Sequence, residues 1–129
     1  MTREEFLLDM VKYYSEDTNR RCTGPDRCYY SPISVGKVGI SEGCAIGRHL
    51  TPELQLELDS FDISSVTKDY VFERLPNFLQ ELGKMFLFSV QSFHDQETNW
   101  TSQGKINQNV MRIVKEYDLD KKMFREYAN

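Results

Sequence analysis

Apolar side chains recur at helical spacing near both ends of the chain and predict an amphipathic helix at each. Thr2 and Glu5 match a capping box, which fixes the start of the first helix. Its apolar face consists of Phe6, Leu7, Met10, Val11 and Tyr14. We expect this helix to stop near residues 17–19. The last strong helix spans about Ser102 to Tyr117, and a terminal turn follows from Asp120 to Tyr127. The apolar face of that last helix consists of Ile106, Val110, Ile113, Val114 and Tyr117.

The longest apolar pattern lies between Pro76 and His94 and predicts one central helix. Apolar residues occur almost all round it, which is typical of a helix that others surround. They are Phe78, Leu79, Leu82, Met85, Phe86, Phe88, Val90 and Phe93. A shorter helix begins at Thr51-Pro52, because threonine is a good N-cap and proline suits the first helical position. Ser64 or Ser65 is expected to cap another short helix.

Breakers fill residues 20–42 and exclude a long helix there. They are Gly24, Pro25, Pro32, Gly36 and Gly39. We expect residues 28–30 to pair with residues 33–40 as a short hairpin, and a short helical turn to open at Gly43. The pattern therefore predicts a mainly α fold. It is a single domain over residues 1–129, a helical bundle with a small irregular or β-hairpin insert.

The composition fits a soluble protein of 129 residues with a real core, since 40% of residues are hydrophobic and 28% are charged. The longest apolar run, residues 85–90, is too short to cross a bilayer. An acidic start with Glu4 and Glu5 does not match a secretory signal. We therefore expect a cytoplasmic protein without a membrane partner.

Charge is distributed unevenly along the chain. Residues 20–50 carry five basic and two acidic residues, whereas residues 51–97 carry nine acidic and three basic ones. A basic island with exposed arginines favours anions or acidic partners. Nonspecific binding to a duplex needs a broader basic face, so we do not expect nucleic acid as a partner.

A set of short motifs in fixed order carries a resemblance to known proteins. They are Cys28-Tyr-Tyr, Gly43-Cys44-Ala-Ile-Gly, Gln91-Ser-Phe-His94-Asp95 and Trp100. This set resembles a group of small uncharacterised proteins encoded by tailed phages and by bacterial mobile or accessory regions. The resemblance covers most of the chain from Cys28 onward. It implies a phage-type accessory origin, in the cytoplasm of the host, and supplies no mechanism.

Three cysteines and a histidine are candidate zinc ligands. Cys22, Cys28, Cys44 and His49 have the ligand chemistry of a tetrahedral zinc site. Their spacings match no zinc knuckle, however, because a knuckle places two ligands two to four residues apart in one tight turn. Free thiols without a cofactor are therefore the favoured interpretation, and zinc stays an alternative.

Cys44 is the candidate nucleophile of an alternative, enzymatic interpretation. A thiol after Gly43 and near Arg48 would be favoured as a thiolate, with His49 or His94 as the base. Asp95 would orient the imidazole, but it directly follows His94 on a helix and is expected to point elsewhere. The favoured interpretation is that Cys44 packs in the core and that His94 and Asp95 close the central helix.

A third interpretation is a module for a nucleotide or another small anionic ligand. Four glycines lie near Lys37 and Arg48, and their amides would face a phosphate. They are Gly36, Gly39, Gly43 and Gly47. No Walker spacing accompanies them, and turn geometry accounts for most of these glycines.

The leading hypothesis is a binding protein that blocks or sequesters a host or defence-system component. It follows from the resemblance, from the incomplete catalytic sets and from the basic, aromatic insert. We expect the contacts to come from exposed side chains of that insert. These are Arg27, Tyr29, Tyr30, Arg48 and His49.

Overall fold

A computed structural model describes residues 1–25, 27–101 and 105–127. The α-helices are α1 (Arg3–Glu16), α2 (Pro52–Asp59), α3 (Asp69–Phe72), α4 (Asn77–Gln80), α5 (Lys84–Asp95), α6 (Thr98–Thr101) and α7 (Lys105–Glu116). Short 3-10 helices span Thr18–Arg20, Pro32–Val35, Gly47–His49 and Lys121–Tyr127. The predicted mainly α fold is confirmed.

α1 begins where the capping box predicts. The Thr2 hydroxyl accepts a hydrogen bond from the Glu5 amide at 3.1 Å, and the Glu5 carboxylate accepts one from the Thr2 amide at 2.9 Å. These contacts satisfy amides that the first helical turn leaves unpaired. The helix ends before Asp17, and all five residues of its predicted apolar face are buried.

The core forms where α5 packs against both α1 and α7. The C-terminal 3-10 helix contacts α1 and α7 and covers this core with Phe124. Burying a large apolar side chain stabilises the fold by about 1.5–3 kcal/mol, so these helix faces supply much of the stability. None of the helices in the described ranges is both long and apolar enough to span a membrane.

The prediction of one central helix is wrong, because Gly83 divides that segment into α4 and α5. Gly83 has φ 95° and ψ 138°, a conformation that ends a helix and that a side chain would strain. Its amide still donates to the Gln80 carbonyl, and the Leu87 amide donates to the Gly83 carbonyl. The hydrophobic pattern hid this break because apolar residues occur almost all round the segment on both sides of Gly83.

The predicted pairing of residues 28–30 with residues 33–40 is also wrong. Ser31 caps a 3-10 helix there, with Pro32 at its first position, and the Ser31 hydroxyl accepts from the Ile33 amide. Across the described ranges the β pairing is limited to one isolated antiparallel bridge between Thr23 and Cys28. Of the two predicted forms of the insert, irregular or β-hairpin, the structure shows the irregular one.

The structure also fixes the bounds of the last helix and of its neighbours. The predicted start of that helix at Ser102 lies outside the described residues, whereas its face at Val110, Ile113 and Val114 is buried as expected. The predicted helix start at Thr51 is confirmed, since the Thr51 hydroxyl caps α2.

Candidate functional site

A cavity of about 130 Å³ opens between α5, the irregular segment and residues 64–66. Its volume is close to that of an engineered protein cavity that holds benzene, roughly 150 Å³. The lining residues combine hydroxyls, thiols, aromatic rings and one carboxylate. They are Cys28, Tyr29, Tyr30, Cys44, Ser64, Ser65, Val66, Phe88, Gln91, Ser92 and Asp95.

The carboxylate of this cavity belongs to Asp95, the last residue of α5. Its Oδ1 lies 2.7 Å from His94 Nδ1 and accepts a hydrogen bond from Gln91 Nε2 at 2.7 Å. The expectation that Asp95 points away from His94 is therefore wrong. At the end of the helix its side chain turns back toward the neighbouring ring and toward Gln91, one turn earlier.

His94 lies behind Asp95 and is fully buried. Burial lowers the pKa of its imidazole, and the contact with Asp95 opposes that shift. The edge of the ring meets Tyr14, with 4.6 Å between the centroids. His94 Nε2 has no hydrogen-bond partner within the described part of the chain. A protonated ring would place a second N–H at that position, so the geometry favours neutral histidine.

Two side chains hold the carbonyl end of α5. Arg21 Nε donates to the His94 carbonyl and Arg21 Nη2 to the Asp95 carbonyl, both at 2.8 Å. Trp100 Nε1 donates to the same His94 carbonyl at 3.0 Å. The predicted helix end at His94-Asp95 is thereby confirmed. The sequence analysis did not identify Arg21 or Gln91 as part of the site. The partners of Arg21 lie in another element, and the contact of Gln91 with Asp95 depends on how α5 ends.

The three thiols are protonated rather than activated. Burial, together with the Asp95 carboxylate beside it, raises the pKa of Cys28 to about 12. Burial also raises the pKa of Cys22 and Cys44. A thiolate is the reactive form of cysteine, so this environment disfavours the predicted nucleophile at Cys44.

His49 does not join the thiols. Its ring lies 5.0 Å from the Phe6 ring and 6.5 Å from the Phe78 ring, and its Nε2 is 3.8 Å from an Asp9 oxygen. In residues 1–25, 27–101 and 105–127, no group of three or more histidine, cysteine or acidic side chains is arranged to hold a metal ion.

The predicted contact residues are less exposed than expected, because Arg27, Tyr30 and Arg48 make contacts within the protein. Arg27 donates to the Phe61 carbonyl at 2.8 Å and also to the Asp59 carbonyl. Tyr30 is only 5% exposed; its amide donates to Asp59 at 2.7 Å and its hydroxyl to the Ser64 carbonyl. Polar backbone groups of an irregular segment need such partners when they are covered.

The remaining members of that set are also engaged. The Arg27 guanidinium lies over the Tyr29 ring at 4.6 Å. Arg48 forms ion pairs with Asp9 at 2.6 Å and with Glu42 at 3.2 Å, and its side chain is only 13% exposed. The expectation of a single exposed patch is therefore corrected, since exposure of arginine and tyrosine was assumed from residue type.

Two of the four glycines, Gly43 and Gly47, serve close packing, whereas Gly36 and Gly39 have positive φ in open space. A Cβ at Gly47 would lie 2.2 Å from the Tyr30 carbonyl oxygen, and one at Gly43 would lie 2.5 Å from the same atom. Lys37 Nζ donates to the Arg21 carbonyl at 2.6 Å. Lys37 and Arg48 thus already have internal partners, and the phosphate site stays a prediction.

An exposed strip on α5 borders the cavity, and the sequence analysis did not single it out. This α5 ridge consists of Met85, Phe88 and Ser92, which follow one another on one face of the helix. Phe88 forms a wall of the cavity beside Asp95 and also of an open groove of about 280 Å³ between α5 and α7. The ridge therefore stands between two depressions.

Comparison of the chain with protein-family models, with curated proteins and with solved structures gives no match. The resemblance to phage and bacterial accessory proteins stays a prediction from the sequence motifs.

Proposed function

We propose that this protein acts by binding a partner protein, with the α5 ridge as its docking face. The observation that carries the proposal is the position of Phe88. Its ring is 37% exposed and separates two depressions of the surface. Aromatic side chains beside cavities are typical anchors of protein interfaces, because they bury much area at a small cost in conformational entropy.

The exposure of this ridge is notable because α5 is otherwise a core helix. Five of its residues are buried, yet Met85 stays 58% exposed one turn before Phe88. Single exposed apolar residues are ordinary, whereas neighbouring ones beside cavities indicate an interaction site. A partner that covered Met85 and Phe88 would remove this apolar surface from water.

The charge of the segment that carries the α5 ridge favours a basic partner. Residues 51–97 hold nine acidic and three basic residues. Arg74 and Lys84 are already paired with Glu57 and Asp69. A surplus of carboxylates remains, and it attracts a basic surface. The arginines that would have attracted an acidic partner are instead engaged inside the protein.

The biological role that we propose is to block or sequester a host or defence-system component. The phage-type resemblance of the sequence motifs supports this role, and the protonated thiols and the cavity without an assembled catalytic set are compatible with it. In this proposal the protein needs neither a cofactor nor a covalent step, since occupation of the partner's surface is sufficient.

Site-specific photocrosslinking tests the docking face. A benzophenone side chain replaces Phe88 in one variant and Phe78 in a matched control, which is 38% exposed but lies against His49 and lines neither depression. In a bacterial lysate, the probe at position 88 should capture one recurrent partner that the probe at position 78 does not. Capture of the same proteins from both positions, or from neither, would contradict the proposal.

A substitution test complements the crosslinking. Phe88→Ala should weaken binding of the captured partner at least tenfold, because the aromatic anchor is lost. Phe78→Ala removes the same side chain at the same exposure and should leave the affinity unchanged. Equal effects of the two variants would assign the loss to general destabilisation and would count against the ridge.

A further inference from the structure

We infer that the cavity beside Asp95 receives an ammonium or guanidinium group, namely the end of a lysine or arginine side chain of the partner protein. This inference rests on the proposed docking at the α5 ridge. It adds the chemistry that the partner must present there.

The first step of the argument is the charge of the cavity. Among its lining residues, Asp95 is the one whose side chain is ordinarily ionised at neutral pH. Cys28 and Cys44 remain thiols because burial and the nearby carboxylate disfavour their anions. Arg21 does not line the cavity, and its guanidinium donates to the His94 and Asp95 carbonyls. The one formal charge among the lining residues is therefore the Asp95 carboxylate.

The second step is that the carboxylate is already oriented. His94 and Gln91 both contact Oδ1 at 2.7 Å. These contacts fix the rotamer of Asp95 before a ligand arrives, which lowers the entropic cost of binding. The Asp95 side chain is nevertheless 32% exposed, so a cation can reach it. Partial burial also makes this attraction stronger than at an open surface.

The third step is the match of size and polarity. A cavity of about 130 Å³ holds a short alkyl chain with a polar head. The Phe88 ring and Val66 offer apolar contact to the methylene stem of such a chain. Hydroxyls of Ser64 and Ser92 add acceptors for the several N–H donors of an ammonium or guanidinium group. An anionic ligand would instead meet the Asp95 carboxylate.

Small probes test the recognition apart from any partner protein. Butylammonium and propylguanidinium stand for the ends of lysine and arginine, while pentanol and butyrate are neutral and anionic controls of similar size. Each is titrated into the full chain to well above roughly 10 mM, and amide chemical shifts are followed by NMR. We expect the two cations to shift resonances of residues 64–66 and 91–95, and the controls to shift them much less.

Variants then assign the effect to the carboxylate. Asp95→Asn keeps the shape and hydrogen-bond acceptor but removes the charge, and should weaken cation binding at least tenfold. Glu97→Gln makes the same change of net charge two residues away and should leave the affinity within twofold. Ser92→Phe places a ring at the exposed mouth of the cavity and should abolish binding without altering Asp95.

The outcomes separate this inference from the proposed function. Cation binding that Asp95→Asn and Ser92→Phe remove supports it. Equal binding of pentanol, preference for butyrate or indifference to Asp95→Asn overturns it, as does failure of both cations to bind. If neither cation binds while the probe at position 88 still captures a partner, the proposed docking face is supported and the cation-binding cavity is contradicted. If the cations bind but the probe at position 88 captures no partner, cation binding in the cavity is supported and the proposed protein interface is contradicted.

Discussion

His94 donates its Nδ1 proton to the Asp95 carboxylate across 2.7 Å, and its other ring nitrogen is buried without a partner among the described residues. A carboxylate accepts hydrogen bonds and cannot donate them, so Nδ1 must carry the proton. The folded protein therefore holds this imidazole in one neutral tautomer. Protonation of Nε2 would create a buried N–H for which the described structure offers no acceptor. The stability of the fold therefore depends on pH.

We expect stability to fall as the pH drops below about 6.5. Burial lowers the pKa of both His94 and His49 below their ordinary value of 6.5, so the unfolded chain takes up protons first. The stabilisation is complete above the pKa of histidine in the unfolded chain. It is lost as the pH falls from that value to the lower pKa of each histidine in the folded protein. Each histidine contributes at most about 1.4 kcal/mol per pH unit. Urea unfolding between pH 5 and pH 8, roughly the histidine range, measures this slope.

Paired variants identify the residue responsible for that slope. His94→Gln keeps an amide donor for Asp95 but cannot titrate, so the slope should decrease; His49→Gln removes the other contribution. A slope that neither variant changes would assign the acid sensitivity to other groups and would contradict the prediction.

Alkylation should be slow at all three cysteines of the native protein. With a pKa of about 12 instead of 9, Cys28 has roughly a thousandfold less thiolate at neutral pH than an ordinary cysteine thiol. Cys22 and Cys44 are in addition buried. Iodoacetamide at pH 7 followed by mass spectrometry should show little labelling until urea unfolds the chain. Asp95→Asn removes the adjacent carboxylate and should speed labelling of Cys28 selectively, whereas fast labelling of native Cys44 would revive the thiol-enzyme interpretation.

Local signals in the sequence were sufficient for the starts of α1 and α2, whereas the expected cap at Ser64 or Ser65 is wrong, since α3 begins after Lys68 without a side-chain cap. The Thr2 cap, the Thr51-Pro52 pair and the apolar face of α1 depend on residues within one or two turns. The break at Gly83 was missed because apolar residues occur almost all round the segment and their pattern continues across the glycine. The hairpin was predicted from breakers alone, and Ser31-Pro32 uses those same residues to begin a 3-10 helix.

The candidate site was predictable only in part. The sequence pointed to His94, Asp95 and two of the cysteines that line the cavity, but assigned the surface contacts to Arg27 and Tyr30. Arg27 reaches the Phe61 carbonyl 34 residues away, and Tyr30 reaches the Ser64 carbonyl at the same separation. Contacts at such separation leave no periodic trace in a single sequence, so an internal brace cannot be distinguished from an exposed side chain.

Gly47→Ala should destabilise the protein more than Gly36→Ala. At position 47 the new Cβ would lie 2.2 Å from the Tyr30 carbonyl, and backbone on both sides must move. We expect a loss of about 3 kcal/mol, at the upper end for overpacking. Position 36 has φ 68° but open space, so alanine there meets only conformational strain of about 1–2 kcal/mol. Urea midpoints of the two variants test this order, and the reverse order would contradict the close approach.

Asp59→Ala should loosen the insert without unfolding the helices. The Asp59 carboxylate accepts from the amides of Tyr30 and Ser31 and from the Ser34 hydroxyl at 2.6–2.9 Å. Its removal leaves two partly buried amides without an acceptor, with an expected loss of about 2 kcal/mol. Hydrogen exchange at these amides should accelerate while exchange within α5 stays slow. The matched control is Asp69→Ala, which removes an exposed partner of Lys84 and should have little effect. Uniformly faster hydrogen exchange in α5 of the Asp59→Ala variant would contradict a role of Asp59 that is confined to the insert.

The indole that donates to the His94 carbonyl belongs to the only tryptophan in the chain. Intrinsic fluorescence excited at the red edge of the aromatic band therefore arises from one place, the end of α5 that also carries Asp95. The emission of this protein reports on its candidate site without any label. Occupation of the cavity, titration of the neighbouring imidazole and release of the helix end should each change its wavelength or intensity.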